Sequence, residues 1–386
     1  MLVPISAIII TNHKKSAFFL SPSRAAYLSH SMKKLLLSLS ATLLTLFSFA
    51  QGVISGTITD AETGQPLEGA SVFAQNTTIG MVSKADGSYR LSLGKGGYEL
   101  VVSYTGYESK RMNVEGSGDQ TLNFALKKED KSMAEVVIQV SNEVPDGWEK
   151  YGEFFLGHFL GKTENAKQTK LENPAALRFF FYKRSNKLKV FASEPLKISN
   201  AALGYNLQYN LDSFVYYYKT DINSYRGNCL FLPMEGDATQ QAAWARARET
   251  AYLGSRLHFI RSYYDSTLKQ DGFTVDMLSE GSATQFGRLT NPYDTSYYFF
   301  DDSTGNAELW FPRKVSVSYL KAKPEAGYLE QMGLPKNVPL QISYIELKDA
   351  ILVKPNGYFT EQRSWVNEGY WSWKNLADQL PYDYNP

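Results

Sequence analysis

The sequence predicts an all-β sandwich followed by an α+β domain with a mostly antiparallel sheet. Between residues 52 and 127, apolar and polar residues alternate with a period of two, and a turn signal returns about every ten residues, which is typical of β-sandwiches. From residue 146 onwards, stretches with helical spacing alternate with runs rich in aromatic and β-branched residues, which favours a mixed architecture. The length of 386 residues indicates two or three domains.

The segment before the sandwich has the three parts of an export signal. Residues 32–34 are a short basic start, residues 35–49 are an apolar run, and Ala50 and Gln51 flank the predicted cleavage point. Residues 32–50 are therefore predicted to be a signal peptide. A membrane anchor is the alternative, but the apolar run is short and no cluster of charges follows it.

Residues 1–31 are predicted to be an upstream extension, because Met32 begins a complete signal peptide by itself. Either Met1 or Met32 could be the true start. We expect an exported protein that is periplasmic, associated with the outer membrane or at the cell surface. After removal of the signal, no transmembrane segment is predicted.

The charge balance argues against nucleic acid and anionic membrane as partners. The full chain has a net charge of +1, and residues 1–50 hold five of its 40 cations and no anion. The processed chain therefore has 35 cations against 39 anions, a net charge of −4. Such a protein has no overall electrostatic attraction to DNA or to acidic lipids.

The sandwich elements follow one another at short intervals. Residues 53–59 read as a strand, and the turn after them contains Gly64, which tolerates a positive φ. A second strand is predicted over residues 70–75, and Asp86 and Gly87 form a hairpin signal. Three later runs place apolar residues at alternate positions: Tyr89, Leu91 and Leu93; then Tyr98, Leu100, Val102 and Tyr104; then Leu122, Phe124 and Leu126.

Four stretches of this region, residues 56–60, 63–72, 86–91 and 102–107, together resemble the carboxypeptidase-regulatory-like domain. The resemblance implies a transthyretin-like (prealbumin-like) sandwich over residues 51–127. It also implies an accessory module of secreted and outer-membrane proteins, and it does not imply peptidase activity. A complete receptor of the TonB-dependent kind, which such modules often precede, needs a plug and a large barrel, and the remaining chain is too short for them.

Residues 128–145 are predicted to be a linker before the second region, residues 146–386. Two stretches of that region, residues 155–161 and 369–373, resemble an uncharacterised domain of envelope proteins, which implies no particular activity. Asp146 has the spacing of a helix cap, and a long helix is expected from Asp237 to about Gly272. The other elements expected here are a first helix ending near Gly161, strands over 177–182, 188–192, 205–218, 309–320 and 340–353, and a terminal helix over 373–380.

We predict no catalytic, metal or cofactor site. The processed chain has two histidines, His158 and His258, whereas a hydrolytic zinc site usually needs about three ligands. Both are interpreted as core or surface histidines, although an unusual site stays open. Cys229 is interpreted as a buried hydrophobe. No nucleophile elbow, P-loop or dinucleotide motif occurs.

Two weaker candidates depend on exposed residues. Tyr370, Trp371 and Trp373, or the run 216–218, could form a stacking platform for a sugar, with core packing as the alternative. The acidic residues Asp294, Asp301 and Asp302, with Asn291, could suggest calcium, but they lack the spacing of an EF-hand and favour a solvated loop.

The sequence therefore predicts a non-catalytic exported envelope protein, in which a sandwich module accompanies a domain that binds a protein or glycan partner of unknown identity. Two alternatives stay open. One is a carboxylate-based hydrolase of the envelope, which two of the 39 acidic residues could support. The other is a structural component of a surface complex.

Overall fold

The computed structural model describes residues 52–129, 142–282 and 284–386. Within residues 52–129, eight strands form two facing sheets. The strands are β1 (Gly52–Asp60), β2 (Ser71–Ala74), β3 (Gly80–Val82), β4 (Ser88–Leu93), β5 (Gly97–Ser103), β6 (Lys110–Glu115), β7 (Gln120–Thr121) and β8 (Phe124–Leu126). One sheet has the order β4-β1-β7 with β8 also on β1, and the other has the order β3-β2-β5-β6. The predicted β-sheet domain is confirmed.

The core of the sandwich follows the predicted alternation. Ile54 and Ile58 of β1 and Leu91 and Leu93 of β4 are buried between the sheets. The predicted turn before β4 is also present. Gly87 has a φ of +74°, and a Cβ atom there would lie 2.5 Å from the carbonyl oxygen of Ile58. Glycine therefore serves both the turn and the close approach.

Strand β5 departs from simple alternation. The expected inward residues Leu100 and Val102 are buried, but Val101, on the opposite face, is buried as well. Val101 packs with Phe73 against Leu230, which lies after residue 142. The outer face of this sheet is apolar because the rest of the chain covers it.

The later residues form fourteen strands within residues 142–282 and 284–386. They are β9 (Thr169–Leu171), β10 (Leu177–Tyr182), β11 (Lys187–Ala192), β12 (Leu196–Asn200), β13 (Tyr205–Tyr217), β14 (Ile222–Pro233), β15 (Phe273–Leu278), β16 (Phe286–Arg288), β17 (Tyr298–Asp301), β18 (Asn306–Leu309), β19 (Val315–Tyr319), β20 (Gln341–Leu347), β21 (Ile351–Val353) and β22 (Trp365–Gly369). They pair antiparallel in three sheets, β10-β11-β13-β12-β9 with β14 on β13, then β16-β15-β19-β20-β22, and β17-β18-β21. This agrees with the predicted mostly antiparallel α+β region.

Seven α-helices accompany these strands in the same described residues: α1 (Gly147–Phe159), α2 (Glu164–Lys167), α3 (Ala238–Tyr252), α4 (Arg256–Tyr264), α5 (Leu268–Asp271), α6 (Ala326–Gln331) and α7 (Tyr370–Trp373). Helix α1 buries Phe155 and Phe159 against the six-stranded sheet. Asp146 occupies its N-cap position but makes no capping hydrogen bond with its side chain, so the predicted cap chemistry is absent there. None of the described helices has the length and apolar character needed to cross a membrane.

The expectation of one long helix from Asp237 to Gly272 is wrong. The predicted start is correct, and a capping box forms there: Asp237 accepts hydrogen bonds from backbone amides, and the Asp237 amide donates to the Gln240 side chain. The helix then stops at Tyr252. Two shorter helices, α4 and α5, cover the rest of the predicted length.

Backbone conformation explains the two breaks. Gly254 has a φ of +76°, and Ser255 caps α4 by accepting a hydrogen bond from the His258 amide. Ser266, between α4 and α5, has a φ of +58°. A left-handed residue interrupts the i to i−4 hydrogen bonding of a helix. The apolar residues that recur at helical spacing therefore lie just after α3, within α4 and at the start of α5: Leu253, Leu257, Ile260, Tyr264 and Leu268.

Three further predicted elements are shorter than expected. The strand predicted over 309–320 divides into β18 and β19 around Pro312, which lacks a backbone donor. The strand predicted over 340–353 divides into β20 and β21. The terminal helix predicted over 373–380 is replaced by α7 and a 3₁₀ turn, Leu376–Asp378, because Lys374 between them is extended, with a ψ of 95°.

The sandwich is joined to the later region along strand β6. Alternate residues of this strand face partners there. Arg111 pairs with Asp212 at 2.8 Å, the Tyr358 hydroxyl donates to Asn113 at 3.0 Å, and Lys354 pairs with Glu115. Together with the apolar contact of Val101, these pairs hold the described residues as one compact unit.

Candidate functional site

The aromatic residues predicted to form a stacking platform lie in the core. Tyr370, Trp371 and Trp373 are 4%, 6% and 6% exposed. The Trp371 indole donates to the carbonyl of Gly254 at 2.7 Å, and the Trp373 indole donates to Gln331 at 3.1 Å. The platform reading is therefore wrong for these three residues, and core packing, the alternative, is what the structure shows.

The second aromatic candidate, residues 216–218, is divided between core and surface. Tyr216 is buried, and its ring contacts that of Phe154 edge-on at 4.7 Å. The Tyr218 ring stacks on the same phenylalanine at 5.6 Å. Only Tyr217 of this run is exposed, at 43%, because alternate residues of a strand point to opposite faces.

The two histidines are held separately in internal roles. His158 Nδ1 bonds the carbonyl oxygen of Phe154 at 2.8 Å. His258 is 7% exposed, and its Nδ1 accepts a hydrogen bond from the Gly254 amide at 3.1 Å. Burial lowers the pKa of His258 to about 4, so the imidazole is neutral at neutral pH. Within the described residues, no group of three potential metal-ligating side chains is assembled.

Cys229 is fully buried in the core of the six-stranded sheet, as predicted. Burial raises the pKa of its thiol well above the ordinary range, which disfavours the reactive thiolate.

Two of the acidic residues considered for calcium accept hydrogen bonds from their own loop. Asp301 accepts hydrogen bonds from Ser303 and Thr304, which lower its pKa to about 2, and Asp294 accepts from the Ser296 amide.

Two carboxylates do approach each other near the end of the chain. Lys374 pairs with Glu325 and lies 3.4 Å from Asp378. Asp378 is 7% exposed and also accepts hydrogen bonds from Thr163 and Asn165 at 2.8 and 2.9 Å. Because the carboxylates are already paired with an ammonium group, their geometry is that of a structural ion network.

A groove between α1 and the β10–β11 hairpin has a volume of about 810 Å³. A smaller cleft beside His158 has a volume of about 100 Å³. We refer to the larger one as the α1–hairpin groove. It is lined by Asn142, Glu143, Val144, Lys150, Tyr151, Phe181, Tyr182, Lys183, Arg184 and Ser185.

Gly147 and Asn186 position the two walls of the α1–hairpin groove. A Cβ atom at Gly147 would lie 2.6 Å from the Cβ of Phe179, so glycine lets the start of α1 approach the sheet. The hairpin closes at Asn186, whose φ of +46° is one that asparagine tolerates. The 3₁₀ turn Lys183–Ser185 then presents its side chains at the rim.

Cations and aromatic rings alternate around this groove. The Lys150 ammonium lies 5.6 Å from the centre of the Tyr151 ring. On the hairpin side, the ammonium groups of Lys187 and Lys189 lie 5.2 and 5.4 Å from the centre of the Tyr182 ring. Such cation–π contacts hold flexible lysines over a ring.

The acidic residue of the lining, Glu143, is already engaged. Arg178 donates to both of its carboxylate oxygens, at 2.8 and 2.7 Å, and this pairing lowers the pKa of Glu143. This groove was not predicted from the sequence. Its positive rim could have been predicted, because the turn 183–187 carries three cations between two aromatic strands.

The predicted cleavage residues Ala50 and Gln51, and most of the predicted linker, lie outside the described residues. The export signal therefore stays a prediction.

Comparison with known proteins identifies the first module. Residues 54–138 match the family described as the CarboxypepD_reg-like domain, which confirms the resemblance predicted from the four motifs. The remaining residues are unassigned.

Curated relatives are similar to about a quarter of the chain. The TonB-dependent receptor SusC of Bacteroides thetaiotaomicron is 33% identical over 106 residues, 28% of this chain and 10% of the receptor. The TonB-dependent receptor P39 of Formosa agariphila is 36% identical over 89 residues, 23% of this chain and 8% of the receptor. The chain thus matches a tenth or less of the length of these envelope receptors.

Solved structures give only low overall similarity. A putative membrane-associated protein of unknown function from Bacteroides fragilis is 19% identical, with a TM-score of 0.17, covering 42% of this chain and 65% of that one. A catechol 1,2-dioxygenase mutant of Acinetobacter radioresistens is 15% identical, with a TM-score of 0.19, covering 22% of this chain and 54% of that one. Neither score supports a shared overall fold.

Proposed function

We propose, from the premise that residues 54–138 are a CarboxypepD_reg-like domain, that this chain is an exported envelope protein that binds a protein or glycan partner without catalysing a reaction. The α1–hairpin groove carries this proposal. It combines about 810 Å³ of concave space with exposed cations and partly buried rings. A concave surface of this composition is suited to recognition.

Two buried side chains that a hydrolase could use, those of His258 and Asp378, have structural partners. His258 is buried and neutral, and Asp378 is buried with two hydrogen-bond donors and an ammonium group nearby. Neither residue lines the groove. This arrangement favours a binding protein over the carboxylate-based hydrolase.

The test is capture of envelope components by the immobilised chain 51–386. A variant with Lys150→Glu, Lys183→Glu and Arg184→Glu should retain much less material than the unchanged chain. A charge-matched control, with Arg246→Glu, Lys269→Glu and Lys336→Glu at exposed positions outside the groove, should retain the normal amount. Equal capture by the groove variant and the unchanged chain would contradict the proposal.

Enzymatic activity is tested separately. The purified chain is incubated with panels of peptidase and glycosidase substrates, with and without zinc, and no turnover is expected. Turnover that disappears on a single point mutation, such as Asp378→Asn in a variant that still folds, would instead establish the hydrolase.

A further inference from the structure

We propose that the α1–hairpin groove takes an anionic oligosaccharide, with carboxylate or sulfate groups spaced along a sugar chain. This inference rests on the proposed function and names the chemical class of its ligand. It depends on three features of the groove: the distribution of cations, the pairing of its acidic residue and the state of the neighbouring strand edge.

The cations lie on both walls of the groove. Lys150 projects from α1, whereas Lys183 and Arg184 belong to the turn of the hairpin, and all three are exposed. Lys187 and Lys189 continue the positive surface along β11 through their contacts with Tyr182. A ligand lying between the walls would meet positive charge on either side.

No uncompensated acidic group in the lining opposes an anion. Glu143 is the acidic residue of the lining, and Arg178 holds both of its oxygens. The processed chain as a whole has a net charge of −4. The groove is therefore a positive region on a chain whose net charge is negative. Anions are attracted to the groove and not to the surface in general.

The strand edge favours a sugar chain over an acidic peptide. A peptide would gain most by adding a strand to the edge of β10. Part of that edge is already occupied, because the Val144 amide donates to the Phe179 carbonyl at 2.9 Å and Glu143 bridges to Phe180. At this part of the edge, the protein can contact a ligand through its side chains and not through the backbone of β10. This suits a ligand that has no peptide backbone.

The remaining lining matches the other groups of a sugar. Tyr182 and Ser185 carry hydroxyl groups that can pair with sugar hydroxyls. The rings of Tyr151 and Phe181 stack 6.2 Å apart and give the groove an apolar floor. The C–H faces of sugar rings pack on such aromatic surfaces.

The experiment measures binding of the chain 51–386 by titration calorimetry to polygalacturonate, dextran sulfate, neutral dextran and poly-glutamate. We expect binding to at least one of the two anionic glycans and none to neutral dextran. Binding should weaken with added salt, because exposed charges are screened. Replacing the groove cations in Lys150→Ala, Lys183→Ala and Arg184→Ala should weaken it about tenfold.

The matched control carries Arg246→Ala, Lys269→Ala and Lys336→Ala, so both triple variants lose the same charge. Equal weakening in both would overturn the inference, because attraction would then be unspecific. Tighter binding of poly-glutamate than of either anionic glycan would also overturn it and would favour a protein partner. If neither anionic glycan binds while envelope capture still depends on the groove, the glycan inference fails and the proposed function stands.

Discussion

His258 shows how burial decides the chemistry of a single residue. Its ring is enclosed by Tyr252, Phe273 and Tyr319, with centroid distances of 4.7, 4.9 and 5.9 Å. Burial lowers its pKa from 6.5 to about 4. In the unfolded chain the same imidazole takes up a proton near pH 6.5.

The protein should therefore lose stability as the pH falls from 6.5 to 4, because the unfolded state binds the extra proton first. The contribution of His258 to this loss should reach about 3 kcal/mol. Urea unfolding at pH 7.5, 5.5 and 4.5 measures it. In His258→Gln the slope over this window should flatten. An unchanged slope in His258→Gln would assign the effect to other groups.

Cys229 should resist thiol reagents in the folded protein. Its side chain is fully buried, and burial raises the pKa of the thiol well above its usual range. A chromogenic disulfide reagent at pH 8 should leave the single thiol of the folded chain almost unreacted over hours. After addition of denaturant, the same thiol should react completely. Rapid reaction without denaturant would show that the six-stranded sheet opens readily.

The buried character of Cys229 was predicted from its apolar stretch of sequence, whereas core and surface positions both stayed open for His258. The core positions of Trp371 and Trp373 could not be predicted. An aromatic cluster looks the same in sequence whether it packs inward or faces solvent, and only the position of Gly254 and Gln331, far away in the chain, decides it.

Helix α1 shows how one residue positions an element. Gly147, at its first turn, lies against Phe179, with no room for a Cβ atom. Gly157, near the other end of the same helix, meets only the flexible end of the Lys162 side chain, at 3.2 Å. The two glycines therefore respond differently to the same substitution.

Gly147→Ala should destabilise the protein by about 1–3 kcal/mol, because the added methyl group overlaps the Phe179 side chain. It should also weaken ligand binding, since α1 forms one wall of the groove. Gly157→Ala should be neutral or should stabilise by up to about 1 kcal/mol through helix propensity. Thermal unfolding of both variants makes the comparison. Equal destabilisation by the two changes would contradict this account of the helix position.

At the level of elements, strongly periodic segments were predictable and their interruptions were not. Strand β13 matches its predicted range within one residue. The breaks around Gly254 and Ser266 were missed because an apolar stripe at helical spacing continues through both. The groove was missed for a related reason, since its two walls, α1 and the β10–β11 hairpin, are separated in the chain and meet only by packing.

At the scale of the described molecule, residues 382–384 form a second junction between the sandwich and the later region. The Tyr382 amide donates to the carbonyl oxygen of Asn76 in the sandwich at 2.7 Å, and Thr78 donates to Asp383 through both its amide and its hydroxyl. Arg261 of α4 donates to the carbonyl oxygen of Tyr382 at 2.9 Å. This segment therefore joins the sandwich to the later region.

Asp383→Ala should loosen this junction, because it leaves the Thr78 donors without their acceptor. We expect a loss of about 1–2 kcal/mol in the free energy of unfolding and faster amide hydrogen exchange around Thr78. Asp302→Ala, in an exposed loop, is the control and should change neither measurement. Unaltered exchange in Asp383→Ala would show that the apolar contacts alone hold the sandwich in place.

No feature of the sequence predicted this packing. The alternation in β5 identified its inner face, but the covering of its outer face depends on Leu230, more than a hundred residues later. Likewise, Arg111 and Glu115 of β6 look like ordinary charges of an exposed strand until their partners in the later region are known. Long-range pairing of this kind leaves no local periodicity in the chain.

The apolar outer face of β2 and β5 also has a consequence for producing the sandwich without the later region. Phe73 and Val101 are 3% and 0% exposed and pack against Leu230 and Leu232 of the later region. If the sandwich were excised and produced alone, both side chains would face water and neighbouring copies would adhere through them. Changing Phe73 and Val101 to threonine should keep the excised module monomeric in light scattering. Modules of this family that stand free in their own proteins should carry polar residues at these two positions.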